Sequence, residues 1–200
     1  AGRGRRRRGG RRPAAGRAAG GRLIRVGDAA DAPGKDADAV VDFVRALVTP
    51  PWPRDAADAE RMLAALGVHP TGGVDAWSPS SAQHALTGGP DAVDHLSYGV
   101  HADSVSGIGF FLARHGGARD PLVRRDHDAL VAALAALFGP PRAAFDDQSS
   151  PVLWDVAELQ VGVQLFDRVD SSVMVDVDHS DRSARAEAEA AAAGDDPGRG

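Results

Sequence analysis

No cysteine occurs among the 200 residues. That excludes a disulfide framework, a thiolate nucleophile and cysteine-ligated zinc. It fits a reducing compartment, and a cytoplasmic location is the expectation. Asparagine is also missing, lysine occurs once (Lys35), tyrosine once (Tyr98) and isoleucine twice, while Ala, Gly, Arg, Asp and Val abound. Such a skew is the imprint of GC-rich coding DNA, so Ala and Gly runs carry little weight as signs of low complexity. No apolar stretch approaches the roughly 20 residues of a membrane-spanning helix. Nor does an apolar signal-peptide core follow the basic start.

Several chemistries drop out for want of a motif. Lys35 follows Gly34, but no glycine stands five residues earlier and Asp36 replaces the required hydroxyl, so there is no Walker loop. Gly107 and Gly109 begin a dinucleotide fingerprint whose third glycine falls on Leu112. There is no G-x-S-x-G, no H-E-x-x-H and no calcium-binding loop. Covalent catalysis therefore narrows to Ser, Thr or a carboxylate, and no such group is paired with a base. No cofactor is expected.

Charge is uneven. Residues 1–25 hold ten arginines and no acid, so the 23 basic and 28 acidic side chains leave 13 and 28 for the remainder, a net of −15 against −5 for the whole chain. An acidic body repels nucleic-acid phosphates and anionic headgroups over a Debye length of about 8–10 Å. The basic head, 1–35, has no apolar periodicity and reads as disordered. It is either an arginine-rich arm for nucleic acid or the translation of GC-rich DNA upstream of the true start. No aromatic interleaves its arginines to stack a base.

Residues 36–181 read as one domain and 182–200 as a frayed Ala-rich tail, with a frayed helix at 182–194 and a loose end at 195–200. Residues 23–26 could add a short edge strand. Val40, Phe43, Val44, Leu47 and Val48 recur on one helical face within 36–48. A second helix is predicted over 55–66, with Gly67 as a left-handed stop. Short strands are expected at 74–77 and 82–86, and a hairpin at 94–101 and 105–112, whose internal glycines mark a bulge or close backbone approach. A third helix covers 121–138, capped by Asp120 with Pro121 in first position. The closing stretch, 151–181, has the clearest period-two alternation: Leu159, Val161, Val163 and Leu165, then Val173, Val175 and Val177. Trp52, Trp77 and Trp154 are assigned to the core. The order predicts an α+β fold, a twisted antiparallel sheet of about five to seven strands with three helices packed mainly on one face.

Chemistry-bearing residues concentrate on the opposite strand face of that closing stretch. Gln160, Gln164, Asp176 and Asp178 are the candidate binding residues. Asp176, Asp178 and His179 form a D-x-D-H pattern as a weak metal candidate, although metal sites need three or more converging ligands. Asp94-His95 and Asp126-His127-Asp128 supply further carboxylate–imidazole pairs, with solvated surface as the alternative.

Trp52-Pro53, Leu66-Gly67-Val68, Tyr98-Gly99, Phe138-Gly139-Pro140 and Trp154 occur in an order that resembles a family of uncharacterised small actinobacterial proteins, a domain of unknown function. The resemblance covers roughly 36–181 and implies an α+β domain without an assigned activity. Small acidic α+β proteins of this kind often serve as immunity proteins or secretion chaperones. The expectation is thus a non-enzymatic cytosolic binding protein presenting an acidic surface to a basic protein partner. Two alternatives stand beside it. One is a small metal-assisted hydrolase built on the carboxylates and histidine of the last strand. The other is nucleic-acid binding through the arginine-rich head.

Overall fold

A computed structural model describes residues 33–142 and 151–194. The arginine-rich head and the strand expected at 23–26 lie outside the described residues.

Helix α1 (Pro33–Leu47) buries Val40, Phe43, Val44 and Leu47, the face predicted from their spacing. Helix α2 (Ala56–Ala64) starts at Asp55, whose carboxylate accepts the Asp58 N–H at 2.9 Å. It buries Ala59 and Leu63 and ends before Gly67, at φ 75°. Trp52 fills the corner between the two helices, its indole N–H donating to the Val105 carbonyl at 3.1 Å.

Two antiparallel meanders follow. The first is β1 (Val68–Ser78), β2 (Ser81–Gly88), β3 (Val93–His101) and β4 (Ser104–Leu112). The two-residue β5 (Gly116–Gly117) and helix α3 (Pro121–Phe138) lead to the second: β6 (Val152–Val156), β7 (Leu159–Phe166) and β8 (Asp170–His179). Strand β8 lies beside β4, so the spatial order is β1-β2-β3-β4-β8-β7-β6, with β5 paired to β8. Asp120 caps α3 by accepting N–H bonds from Leu122 and Val123, and Pro121 occupies the first turn.

Register fixes two faces. Ile108 and Phe110 oppose Val177 and Val175, which oppose Val161 and Val163 in turn. All six are essentially buried, beneath α1 and α3. Phe43 of α1 meets Phe110 edge-on at 5.6 Å. Trp154 packs into the same layer and donates to the Gly139 carbonyl at the end of α3, at 3.0 Å.

The α+β class and the antiparallel sheet agree with the sequence reading; the details differ in three ways. The described residues hold eight strands, counting the two-residue β5, against about five to seven expected. A fourth helix, α4 (Ser180–Gly194), runs straight on from β8, through residues read as a tail with at most a frayed helix at 182–194 and not counted among the three packed helices. Its composition offers no apolar stripe; polar contacts hold it instead. Arg182 donates to the carbonyls of Pro53 at 2.8 Å and Val105 at 2.9 Å, and Ser183 to that of Ser106 at 3.2 Å. Finally, Trp77 is 65% exposed rather than in the core, because it stands on edge strand β1, of which only Val68 is buried.

Candidate functional site

The other face of the central strands has a different chemistry. Along β8, Met174, Asp176 and Asp178 point to it. On β4 they are opposed by Phe111, Gly109 and Gly107, and on β7 by Gln164, Gly162 and Gln160. The four sequence-predicted residues Gln160, Gln164, Asp176 and Asp178 are therefore brought onto one face. His179 is not: alternation sets it with Val177 and opposite Leu159, on the helix-covered side. The D-x-D-H pattern thus splits between two faces.

Glycines form the floor. A Cβ at Gly107 would overlap Oδ1 of Asp178 and one at Gly109 would sit 3.0 Å from Oδ1 of Asp176, while one at Gly162 would meet Leu153 Cδ2 at 3.4 Å and Asp176 Oδ2 only at 3.8 Å, an ordinary contact. Each carboxylate thus folds sideways over bare backbone of a neighbouring strand. The sequence signal was present in Gly107 and Gly109, read as a bulge or a close backbone approach, while Gly162 drew no such reading. The register also shifts between Gly99 and Val100 across β3–β4, beside Gly107.

Both carboxylates are half-buried, and neither receives a hydrogen bond among the described residues. Burial pushes Asp176 up to about 6. Asp178 is pushed up to about 7, first by burial, then by the neighbouring charges of Asp176 and of Glu187 on α4. Around them, Gln160 Nε2 reaches Asp155 Oδ1 at 3.4 Å and Gln83 Nε2 donates to Ser97 Oγ at 2.6 Å.

Helix α4 walls one end. Besides Arg182 and Ser183, Glu189 accepts from Ser80 Oγ at 2.5 Å and lies 3.2 Å from His101 Nε2. His101 Nδ1 in turn meets Ser81 Oγ at 2.9 Å. Nothing in the sequence pairs these residues, which come from the β1–β2 turn, β2, β3 and α4. The far end is aromatic: Phe111 and Phe166 stand 6.3 Å apart, with His95 and His115 beside Phe111.

The site is therefore a polar trough with two desolvated carboxylates over glycine, closed by a helix at one end and an aromatic cluster at the other. It can bind a cation through the carboxylates or exchange protons near neutral pH. No curated protein and no solved structure matches the chain. Residues 38–179 match a family of unknown function (DUF6301), a span that takes in all eight described strands, α2, α3 and most of α1, and the chain belongs to that family.

Proposed function

We propose that this protein is a binding protein whose polar sheet face receives a basic segment of a protein partner, with Asp176 and Asp178 as the anchoring acids. One observation carries this reading. Two carboxylates sit half-buried side by side on the sheet, with no hydrogen-bonding partner among the described residues, above a floor kept low by glycine. A buried carboxylate without a partner lowers stability when ionised. A guanidinium or ammonium delivered from outside would supply the missing donors and the opposite charge. The −15 of residues 26–200 adds long-range attraction for the same class of partner. Gln160 and Gln164 flank the acids with neutral polar side chains.

Metal-assisted hydrolysis through Asp176, Asp178 and His179 is the weaker reading, because His179 belongs to the opposite face.

The test is affinity capture from the native host in low salt, with the wild-type chain and an Asp176→Asn/Asp178→Asn variant as parallel baits. A partner held by the wild type, released by salt and lost from the variant is the expected result. Recovery of the same proteins on both baits, or of none, would overturn the proposal.

A further inference from the structure

Asp94 and His95 open β3, and His115 follows β4. Asp94 is paired across the sheet with Phe111, and His115 packs on that same ring, centroids 6.2 Å apart. His95 meets Phe111 edge-on, also at 6.2 Å, and the two imidazoles lie nearly perpendicular at 6.0 Å. One phenylalanine thus props both histidines toward one carboxylate.

The distances are informative. Asp94 Oδ2 is 3.6 Å from His95 Nε2 and 3.7 Å from His115 Nε2. Neither contact is a hydrogen bond. Tetrahedral zinc with bonds of about 2.0–2.2 Å sets adjacent ligand atoms roughly 3.3–3.5 Å apart, a few tenths of an ångström closer. One ligand atom from each of the three residues lies within 4.8 Å of the others. Asp94 is also oriented from behind: its Oδ1 accepts the backbone N–H of His95 at 2.8 Å, leaving Oδ2 for the histidines. His95 itself has φ 48°, an uncommon conformation for a residue with a side chain, beside a register shift between Asp94 and Ser97.

We infer that Asp94, His95 and His115 form a divalent transition-metal site of zinc type. Its two imidazoles and one carboxylate leave a coordination position open to water or to a donor from a bound partner. The bland alternative is a loose pair of surface ion contacts, which would hold no metal. The site stands apart from the carboxylate pair and does not depend on the binding role proposed for it.

The experiment uses the full chain, free of any affinity tag. It is titrated with Zn²⁺ by calorimetry and with Co²⁺ by visible absorption, with EDTA reversal. We expect one equivalent per chain and a tetrahedral-type cobalt band. His95→Asn, which tolerates the left-handed conformation, and His115→Gln should each weaken zinc by about 100-fold or more, since even outer-shell losses cost 10–100-fold. His69→Ala, on β1, should leave binding unchanged. All three positions are on the surface, and unchanged circular dichroism will separate lost binding from lost folding. If a variant fails that check, Asp94→Asn must give the same loss. No stoichiometric binding by the wild type, or binding retained in both histidine variants, overturns the inference.

Discussion

The same three strands present two faces that follow opposite rules. On one, Ile108 and Phe110 of β4, Val175 and Val177 of β8, and Val161 and Val163 of β7 pack into a dry layer under α1 and α3. β-Branched and aromatic side chains fill it, as burial requires. On the other face the corresponding places are Gly107, Gly109, Asp176, Asp178 and Gly162. Nothing there is chosen for packing. Glycine weakens a strand interior, and an unpaired half-buried carboxylate weakens the fold further. The first face holds the molecule together and the second draws on the stability it provides.

The sharpest way to break that contrast is to exchange the rules. Val175→Asp would put a charge into the dry layer, with no polar partner in reach. It should cost at least about 4 kcal/mol or abolish folding. Asp176→Val, the adjacent position, should fold and melt at or above the wild-type temperature. Urea denaturation of the two variants reads the difference directly, and comparable losses from both would show that the faces are not distinct.

Next in size is the pH dependence. Asp176 and Asp178 are raised from 3.8 to about 6 and about 7 in the folded chain. Between about pH 4 and 7 the folded state thus holds more protons than the unfolded one, so stability falls as pH rises through that window and levels off above it. Asp178→Asn removes the charge and should stabilise by about 1–3 kcal/mol at pH 8, the amide offsetting part of the relief. The gain should shrink as the pH falls and vanish below about 4. A gain that did not vary with pH would assign the effect to packing rather than to desolvated charge.

How much of this was legible in the sequence follows the same division. The covered face was legible because alternating valines leave one arrangement that buries them. Asp120 and Pro121 announced α3, and Gly67 announced the end of the αα corner. The polar face was half legible: alternation put Gln160, Gln164, Asp176 and Asp178 together, yet it also separates His179, which proximity in sequence had grouped with the aspartates. The pairing of β4 with β8 brings Gly107 under Asp178 across 71 positions, and no local rule reports a contact that distant. Helix α4 was legible only as a frayed helix, because an Ala-rich segment with polar anchors lacks the periodic stripe by which a packed helix is recognised. Trp77 was misplaced because residue type alone cannot show that β1 is an edge strand.

The glycine floor offers a smaller effect with a sharper logic. Gly107 has no positive φ to satisfy, so Gly107→Ala tests the close approach alone. The added methyl meets Asp178 Oδ1, and we expect a loss of about 1–2 kcal/mol. In an Asp178→Ala background the obstruction is gone and the loss should largely disappear. The double-mutant cycle would then give a coupling of about 1 kcal/mol. Additive losses would mean that the carboxylate does not lie over the glycine.

The smallest expected effect concerns the wall of the trough. Arg182 bridges from α4 to the carbonyls of Pro53 and Val105, and Val105 also accepts from the Trp52 indole. Arg182→Ala removes donors from half-buried carbonyls that water can partly replace, so the global loss should be about 1 kcal/mol. The local consequence should be larger than that figure suggests. Without an apolar stripe, α4 depends on Arg182, Ser183 and Glu189, and losing the first of these should release it from the sheet. Amide exchange in α4 should then accelerate while protection in β4 and β8 is kept. Release of α4 would also take Glu187 away from Asp178 and lower that carboxylate from about 7. Protection of α4 unchanged by Arg182→Ala would show that some other contact holds the helix at this end of the site.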